Sequence, residues 1–184
     1  YCRMKPVYLI FTLLITAAPG FLSERIRLDD SLIVPGSGAE NIILGDTESE
    51  VRKRKGQPEK TALFNEDHEL FRDIFGISSP GGVYYRKIYH YSISGFMVFF
   101  YNDRVSAIAG LNTFRVTGDS VSLQNGVDNF VYHYGNRGLA VLKKGSHALY
   151  LYREQGIAVI DDSGNDSIDM YLLFPSAEAQ SGER

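Results

Sequence analysis

Hydrophobic and polar residues alternate along several short stretches of the chain, and this pattern predicts β-strands. Turn-forming pairs bound the stretches, for example Gly81-Gly82 and Gly145-Ser146. The predicted strands are residues 84–93, 95–101, 105–111, 139–143, 147–152 and 168–174. Because most connections between them are short, we expect a mostly antiparallel sheet.

Three segments have the pattern of short helices. Thr47 and Glu50 fit a capping box, and Gly56 supplies the residue just past the end of that helix. Asn125 is predicted to cap a second helix, which ends at Gly135. A third helix is predicted between a cap at Asn65 and a stop at Gly76, with one apolar face: Leu70, Phe71, Ile74 and Phe75.

The first two helical segments, and the strands after them, match position by position. Leu44, Val51 and Gly56 correspond without a gap to Leu123, Phe130 and Gly135, and Tyr91 and Gly95 correspond to Tyr152 and Gly156. The first copy carries an insertion of about 18 residues, which contains the third helix. The predicted fold class is therefore α+β, with two tandem helix(-loop-helix) plus antiparallel β-sheet units and helices packed on one face of the sheet.

The start of the chain has the pattern of a signal peptide. Lys5 precedes an apolar run from residue 7 to 17, and the small residues Ala18 and Gly20 fit a cleavage site after residue 20. The run is shorter than the roughly 20 residues that span a bilayer, so we expect no stable membrane insertion of the mature chain. This predicts export to the periplasm or the surface of a bacterium.

The predicted organisation follows from the leader and the repeat. Residues 1–20 are the signal peptide, 21–39 an extended lead-in, 40–116 the first unit with a helical insertion at 60–82, 117–175 the second unit, and 176–184 a disordered tail.

Composition excludes several classes of protein. The formal net charge is −3 and the dense basic run is confined to residues 52–55, which argues against a nucleic-acid partner. The one cysteine, Cys2, lies in the leader, so the predicted mature chain has neither a disulfide nor a thiol nucleophile.

No motif indicates an enzyme, a metal site or a cofactor. The four histidines, His68, His90, His133 and His147, are not spaced as metal ligands. The acidic segment 161–166 lacks the glycine and glutamate positions of a helix-loop-helix calcium site, so it is interpreted as a solvated hairpin turn.

Tyrosines are the candidate binding residues. Tyr85, Tyr89 and Tyr91 are expected on one face of a strand together with Lys87. Tyrosine buries a large area at small entropic cost, which suits protein interfaces, although core packing explains the same pattern. The predicted protein-binding residues are Tyr85, Tyr89, Tyr91, Tyr132, His133 and Tyr134.

Residues 44–51 followed by Gly56-Gln57-Pro58, then Gly95 in a hairpin and an Asn102-Asp103 turn, resemble the SmpA/BamE-like family of small envelope proteins. The tandem doubling is similar to the β-lactamase-inhibitor-protein architecture. These resemblances imply a non-enzymatic protein-binding or structural role, with another envelope protein as partner. Two alternatives stay open: a small-ligand binder or enzyme whose site is assembled from scattered residues, and a surface-exposed adhesin.

Overall fold

A single antiparallel sheet of eight strands forms the centre of the computed structural model, which describes residues 32–63, 85–111 and 115–177. In chain order the elements are β1 (Leu32–Ile33), β2 (Gly38–Ala39), β3 (Ile42–Ile43), α1 (Glu48–Lys55), β4 (Lys60–Leu63), β5 (Lys87–Tyr91), β6 (Phe96–Tyr101), β7 (Arg104–Leu111), β8 (Val116–Thr117), α2 (Gly126–Tyr134), β9 (Leu139–Lys144), β10 (His147–Tyr152), β11 (Ile157–Asp161) and β12 (Met170–Leu173). The order across the large sheet is β4-β5-β6-β7-β12-β11-β10-β9.

The predicted α+β fold class is wrong. It required helix-loop-helix units packed on a sheet, whereas the described chain is mostly β, with two α-helices of eight and nine residues. Part of the difference lies in the predicted helical insertion 60–82, because residues 60–63 pair with β5 and extend the sheet as β4. The rest of that insertion, including the helix predicted from Asn65 to Gly76, lies outside the described residues.

Local signals explain where the two helices begin and end. The predicted capping box of α1 is confirmed: the Thr47 hydroxyl accepts the Glu50 N–H, and the Glu50 carboxylate accepts the Thr47 N–H. The predicted cap of α2 is wrong, because the Asn125 side chain makes no capping hydrogen bond. Instead, a 3-10 turn at residues 123–125 leads into α2, and the Ser122 hydroxyl accepts an N–H at its start.

Each α-helix is followed by a four-stranded antiparallel meander. We call α1 with β4–β7 the first half, and α2 with β9–β12 the second half. Their last strands, β7 and β12, pair at the centre of the sheet. In both halves a tyrosine hydroxyl donates to the carbonyl of the glycine that ends the helix: Tyr91 to Gly56 at 3.1 Å, and Tyr152 to Gly135 at 2.9 Å. Both tyrosines and both glycines are positions that the sequence repeat aligned.

Two buried clusters lie on opposite faces of the sheet. Both helices contribute to one cluster, through residues such as Val51 and Phe130, and we call this face the helix side. The second cluster, on what we call the far side, contains the large side chains Ile88, Phe99, Leu149, Leu151, Ile160, Leu172 and Phe174.

The predicted lead-in, residues 21–39, contributes short strands in its described part. β1 pairs in parallel with β8, and β2 and β3 form a hairpin whose turn residue Glu40 is 3% exposed. The Glu40 carboxylate accepts from Arg115 at 2.5 Å and from the Tyr171 hydroxyl at 3.2 Å. Burial, then the nearby Glu40 charge, raises the pKa of Tyr171. This network fixes the hairpin to β12 at the centre of the sheet.

Candidate functional site

Three of the predicted binding tyrosines are core residues. Tyr85, Tyr89 and Tyr91 are 6%, 0% and 3% exposed, which leaves little of them for a partner to contact. Tyr89 and Tyr91 share the helix side, as alternation predicts, but the placement of Tyr85 on that face is wrong. Tyr85 precedes β5, so strand alternation does not reach it, and it lies on the far side with Ile88.

The other three predicted residues lie near the end of α2 and differ in exposure. Tyr132 is 89% exposed, and His133 is exposed beside it. Tyr134 is half-buried, with its ring 4.6 Å from that of Phe130, and burial raises its pKa to about 12. The structure therefore does not bring the six predicted residues together into one surface.

The first half contains a cleft of about 320 Å³ on the helix side. Its lining combines charged and apolar groups: Glu48, Leu63, Arg86, Lys87, Phe100, Asn102 and Asp103. Glu48, the first residue of α1, accepts hydrogen bonds from the Lys87 ammonium group and the Tyr89 hydroxyl. Arg52, one turn further along α1, donates to the Tyr89 hydroxyl at 2.5 Å.

These contacts shift the pKa values of the Glu48 carboxyl and the Tyr89 hydroxyl. Burial raises the pKa of Glu48, but the hydrogen bonds from Lys87 and Tyr89 outweigh it, and the net shift is downward. Burial and the neighbouring Glu48 carboxylate raise the pKa of Tyr89 to about 12. Glu48 and Lys87 are thus paired with each other in this cleft.

The second half has a larger cleft, of about 560 Å³, at the equivalent place. It is lined by Lys143, Gly145, Ser146, His147, Ala148, Tyr150, Asp161, Gly164, Asn165 and Asp166. The strand register fixes the equivalence of the two clefts. Ala148 pairs with Asp161 where Lys87 pairs with Phe100, and Tyr150 pairs with Val159 where Tyr89 pairs with Val98.

Asp161 holds the turn that forms one wall of this cleft. Its carboxylate accepts the backbone N–H groups of Gly164, Asn165 and Asp166 at 2.6, 3.3 and 3.1 Å. This arrangement agrees with a hairpin turn at residues 161–166. Within the described ranges, no group of three or more His, Cys, Asp or Glu residues could hold a metal ion.

Asp166 lies in an acidic environment. Its φ is +68°, a left-handed turn conformation, and the carboxyl of Asp128, in the first turn of α2, lies close enough to raise the pKa of Asp166. Desolvation, then repulsion by Asp128 and Asp161, raises the pKa of Asp166, although Lys143 opposes the shift.

Apolar surface borders the second-half cleft. On the edge strand β9, Val141 is 42% exposed and pairs with the half-buried Tyr150. Ala140, which points to the far side, is also exposed, so this strand is open on both faces. The sequence did not predict this surface, because the predicted binding residues were chosen as individual aromatic side chains and not as neighbours on one surface. The repeat alignment carried a usable signal, since it places Ala148 at the position of Lys87.

Comparisons with protein-family models, with curated proteins and with solved structures gave no match to this chain. The resemblance to the SmpA/BamE-like family and to the β-lactamase-inhibitor-protein architecture therefore stays a prediction. In the part of the chain that the structure describes, no helix has the length and apolar character needed to cross a membrane.

Proposed function

We propose that the chain is an exported, non-enzymatic protein-binding module of a bacterial cell envelope, and that it contacts another envelope protein through the open surface of its second half. The observation that carries this proposal is the cleft of about 560 Å³ beside the exposed edge strand β9. A sheet edge bordered by apolar side chains suits a protein partner better than a small solute.

Exposure of apolar side chains supports the position of this surface. Val141 is 42% exposed on β9, and Tyr132 is 89% exposed on α2 of the same half. Tyr150 and the polar groups that line the cleft give the mixture of apolar contact and directional bonding found at protein interfaces.

The first-half cleft favours binding over catalysis as the role of the molecule. Glu48 accepts hydrogen bonds there from Lys87 and Tyr89, so the Glu48 carboxylate is stabilised in its ionised form and the Tyr89 hydroxyl in its neutral form. A general acid or base needs a proton that it can exchange near the working pH. The lowered pKa of Glu48 and the pKa of about 12 for Tyr89 move both groups away from that range.

A capture experiment tests the proposal. The purified chain is immobilised, solubilised envelope extract from the source organism is passed over it, and retained proteins are identified by mass spectrometry. We expect one envelope protein to be retained, and Val141→Arg or Tyr132→Arg to abolish its retention. The matched control is Ile93→Arg, because Ile93 is 90% exposed but lies in the β5–β6 turn of the first half.

Other results would replace the proposal. Retention that is unchanged in Val141→Arg and Tyr132→Arg would exclude the second-half surface. If no protein is retained and a small-molecule pool raises the melting temperature, the chain is a small-ligand binder. Cleavage of the chain by protease added to intact cells would favour the adhesin alternative.

A further inference from the structure

The outer edge of strand β9 carries backbone hydrogen-bonding groups that the sheet does not use. β9 is the last strand in the order across the large sheet and pairs on one side only, with β10. Lys144 and His147 pair across a loop of two residues, so their backbone groups bond to each other. Backbone groups alternate in direction along an antiparallel strand, and Val141 and Lys143 therefore point their N–H and C=O groups away from β10.

Three residues of β9 have outward backbone groups, and Val141 is the middle one. The Leu139 carbonyl also points outward, whereas its N–H lies 3.4 Å from the Asn136 carbonyl oxygen. In the part of the chain that the structure describes, the outward groups of Val141 and Lys143 have no backbone partner. The outward groups are thus arranged symmetrically about Val141.

This arrangement is complementary to itself. When two β9 strands run antiparallel with Val141 opposite Val141, Lys143 of each copy lies opposite Leu139 of the other. The two Val141 residues exchange two hydrogen bonds, and each Lys143 N–H donates to a Leu139 carbonyl. The Val141 side chains, 42% exposed in the single chain, then cover each other on the helix side, and Ala140 lies opposite Leu142 on the far side.

The charges match in the same register. Lys144 of one copy lies opposite Gly138 of the other, and the Glu154 carboxylate stands beside Gly138: a Cβ added to Gly138 would be 3.7 Å from the Glu154 Oε2 atom. Glu154 is exposed, and within the described ranges it forms no ion pair. Antiparallel pairing therefore brings each Lys144 to a carboxylate of the other copy. Parallel pairing instead places equal lysines side by side, which is unfavourable.

The opposite edge of the sheet does not offer this geometry. β4 has four residues, and Pro58 lies two positions before its first residue. Short edge strands and prolines are features that prevent strand addition. β9 has six residues, and its two lysines, which discourage pairing with an arbitrary strand, are the residues that the antiparallel register accommodates.

We propose that β9 pairs with β9 of a second copy of the chain, which joins the two eight-stranded sheets into one continuous sheet. The twofold axis passes between the two Val141 residues and is perpendicular to the sheet, so the helix sides of both copies face the same way. The proposal goes beyond the proposed function, because the second copy covers the edge of β9 and the envelope protein contacts the helix side that the two copies present together. Two paired edge strands form a small interface, so we expect a dissociation constant in the micromolar range.

Single cysteines test the register. The one native cysteine is first removed as Cys2→Ser. Val141→Cys then places two thiols on Cα atoms about 5.5 Å apart, a distance that a disulfide spans. We expect mild oxidation to give a covalent dimer on a non-reducing gel.

Two controls accompany this variant. Ala140→Cys is matched in strand and exposure, but its two copies lie about 8 Å apart in the proposed register, beyond the reach of a disulfide. Ile93→Cys measures random collision, because Ile93 is 90% exposed in the first half. The absence of a covalent dimer from Val141→Cys, or equal yields from all three variants, would overturn the proposal.

A charge exchange tests the contact between Lys144 and Glu154. Glu154→Lys places a like charge near Lys144 of the other copy, so we expect the dissociation constant of the dimer to rise at least several-fold in sedimentation equilibrium. Lys144→Glu combined with Glu154→Lys should restore it, since the charges are then exchanged. Both side chains are exposed, so neither change disturbs the core. A dissociation constant that stays the same in the single variant would contradict the proposed register.

Amide hydrogen exchange identifies what covers the edge. Raising the concentration of the unmodified full chain should slow the exchange of the Val141 and Lys143 amides, and leave Ala140 and Leu142, which bond to β10, unchanged. Unchanged exchange at Val141 up to millimolar concentration would refute the dimer. Protection of Val141 only after the captured envelope protein is added would assign the edge to that protein instead.

The dimer and the proposed function fail in different ways. Tyr132→Arg lies on α2 and should abolish capture without affecting the cross-link through Val141→Cys. If the cross-link forms but Tyr132→Arg and Val141→Arg do not affect capture, the proposed function is refuted and the dimer stands. If no cross-link forms but both arginine variants abolish capture, the dimer is refuted and the proposed function stands.

Discussion

Tyr89 shows how one buried hydroxyl connects a helix to the sheet. It donates to Glu48 and accepts from Arg52, so its removal deprives two charged groups of a partner. We expect Tyr89→Phe to lower the free energy of unfolding by about 1.5–3 kcal/mol, the range for hydrogen bonds to charged groups. Urea unfolding at neutral pH measures this.

The matched control is Tyr150→Phe, the equivalent change in the second half. Tyr150 is half-buried and its hydroxyl makes no hydrogen bond within the described ranges, so we expect a loss below about 0.5 kcal/mol. The contribution of Tyr89 also depends on pH. The pKa of Tyr89 is raised from 10.0 to about 12, so its contribution is complete below about pH 10 and is lost as the pH rises through about 12. Equal losses in the two variants would contradict the assigned role of Tyr89.

Removal of the Asp166 carboxylate is expected to raise the stability of the fold, whereas removal of the Tyr89 hydroxyl is expected to lower it. Its pKa is raised above the ordinary value of 3.8, so the folded protein binds its proton more tightly than the unfolded chain does. Ionisation therefore costs stability above the raised pKa, and the cost disappears below about pH 3.8. The groups that face Asp166 are Asp128 from α2, Asp161 from β11, Tyr150 from β10 and Lys143 from β9.

We expect Asp166→Asn to raise the melting temperature at neutral pH and to leave it unchanged near pH 3. Asparagine tolerates the left-handed backbone of this turn, so the change adds no strain. Thermal unfolding at several pH values measures the effect. The control is Asp103→Asn, at the equivalent turn of the first half, where Lys87 forms an ion pair with Glu48. A gain that persists at pH 3 would contradict the electrostatic explanation.

At the scale of single elements, the start of α1 is defined by its own sequence and the start of α2 is not. The Thr47 and Glu50 side chains satisfy two backbone N–H groups at the start of α1. We expect Thr47→Ala to cost about 1 kcal/mol of stability. Asn125→Ala is the natural comparison and should cost much less, since the Asn125 side chain makes no capping bond. A cost of about 1 kcal/mol for both would mean that an Asn125 cap forms in solution.

This contrast explains which elements the sequence could predict. Strands with a clear alternation, such as β5 and β6, and a helix with a complete capping box were predicted within a few residues. β4 was not predicted, because residues 60–63 have three exposed positions and one buried alanine, and their strand character comes from pairing with β5. An edge strand depends on its neighbour, which a local pattern does not contain.

Candidate sites depend on contacts between residues that are even further apart in the sequence. Lys87 and Glu48 are 39 positions apart, and their contact requires the register of β5 to be known. The aromatic pattern identified candidate tyrosines but could not separate the buried Tyr89 from the exposed Tyr132. The residue type is the same, and burial depends on which face of its strand or helix each tyrosine occupies. Among the sequence patterns, the repeat alignment was the one that related the two clefts to each other.

At the scale of the whole molecule, the two halves meet where β7 pairs with β12, and Gly110 lies on β7 within that junction. Gly110 lies directly opposite Tyr171, and a Cβ added there would stand 2.5 Å from the Tyr171 hydroxyl oxygen. That hydroxyl also donates to the buried Glu40, so it cannot move without breaking a polar contact. We expect Gly110→Ala to cost about 1–3 kcal/mol.

The junction makes the halves one cooperative unit, and Gly110→Ala tests this. Because the sheet is continuous across β7 and β12, the variant should lower the midpoint of a single unfolding transition, followed by fluorescence and by circular dichroism. Gly118→Ala is the control, since a Cβ there meets no atom closer than 3.8 Å and should change the midpoint little. Two separate transitions in Gly110→Ala would show instead that each helix and its meander unfold independently, with the tandem units joined only by their central strands.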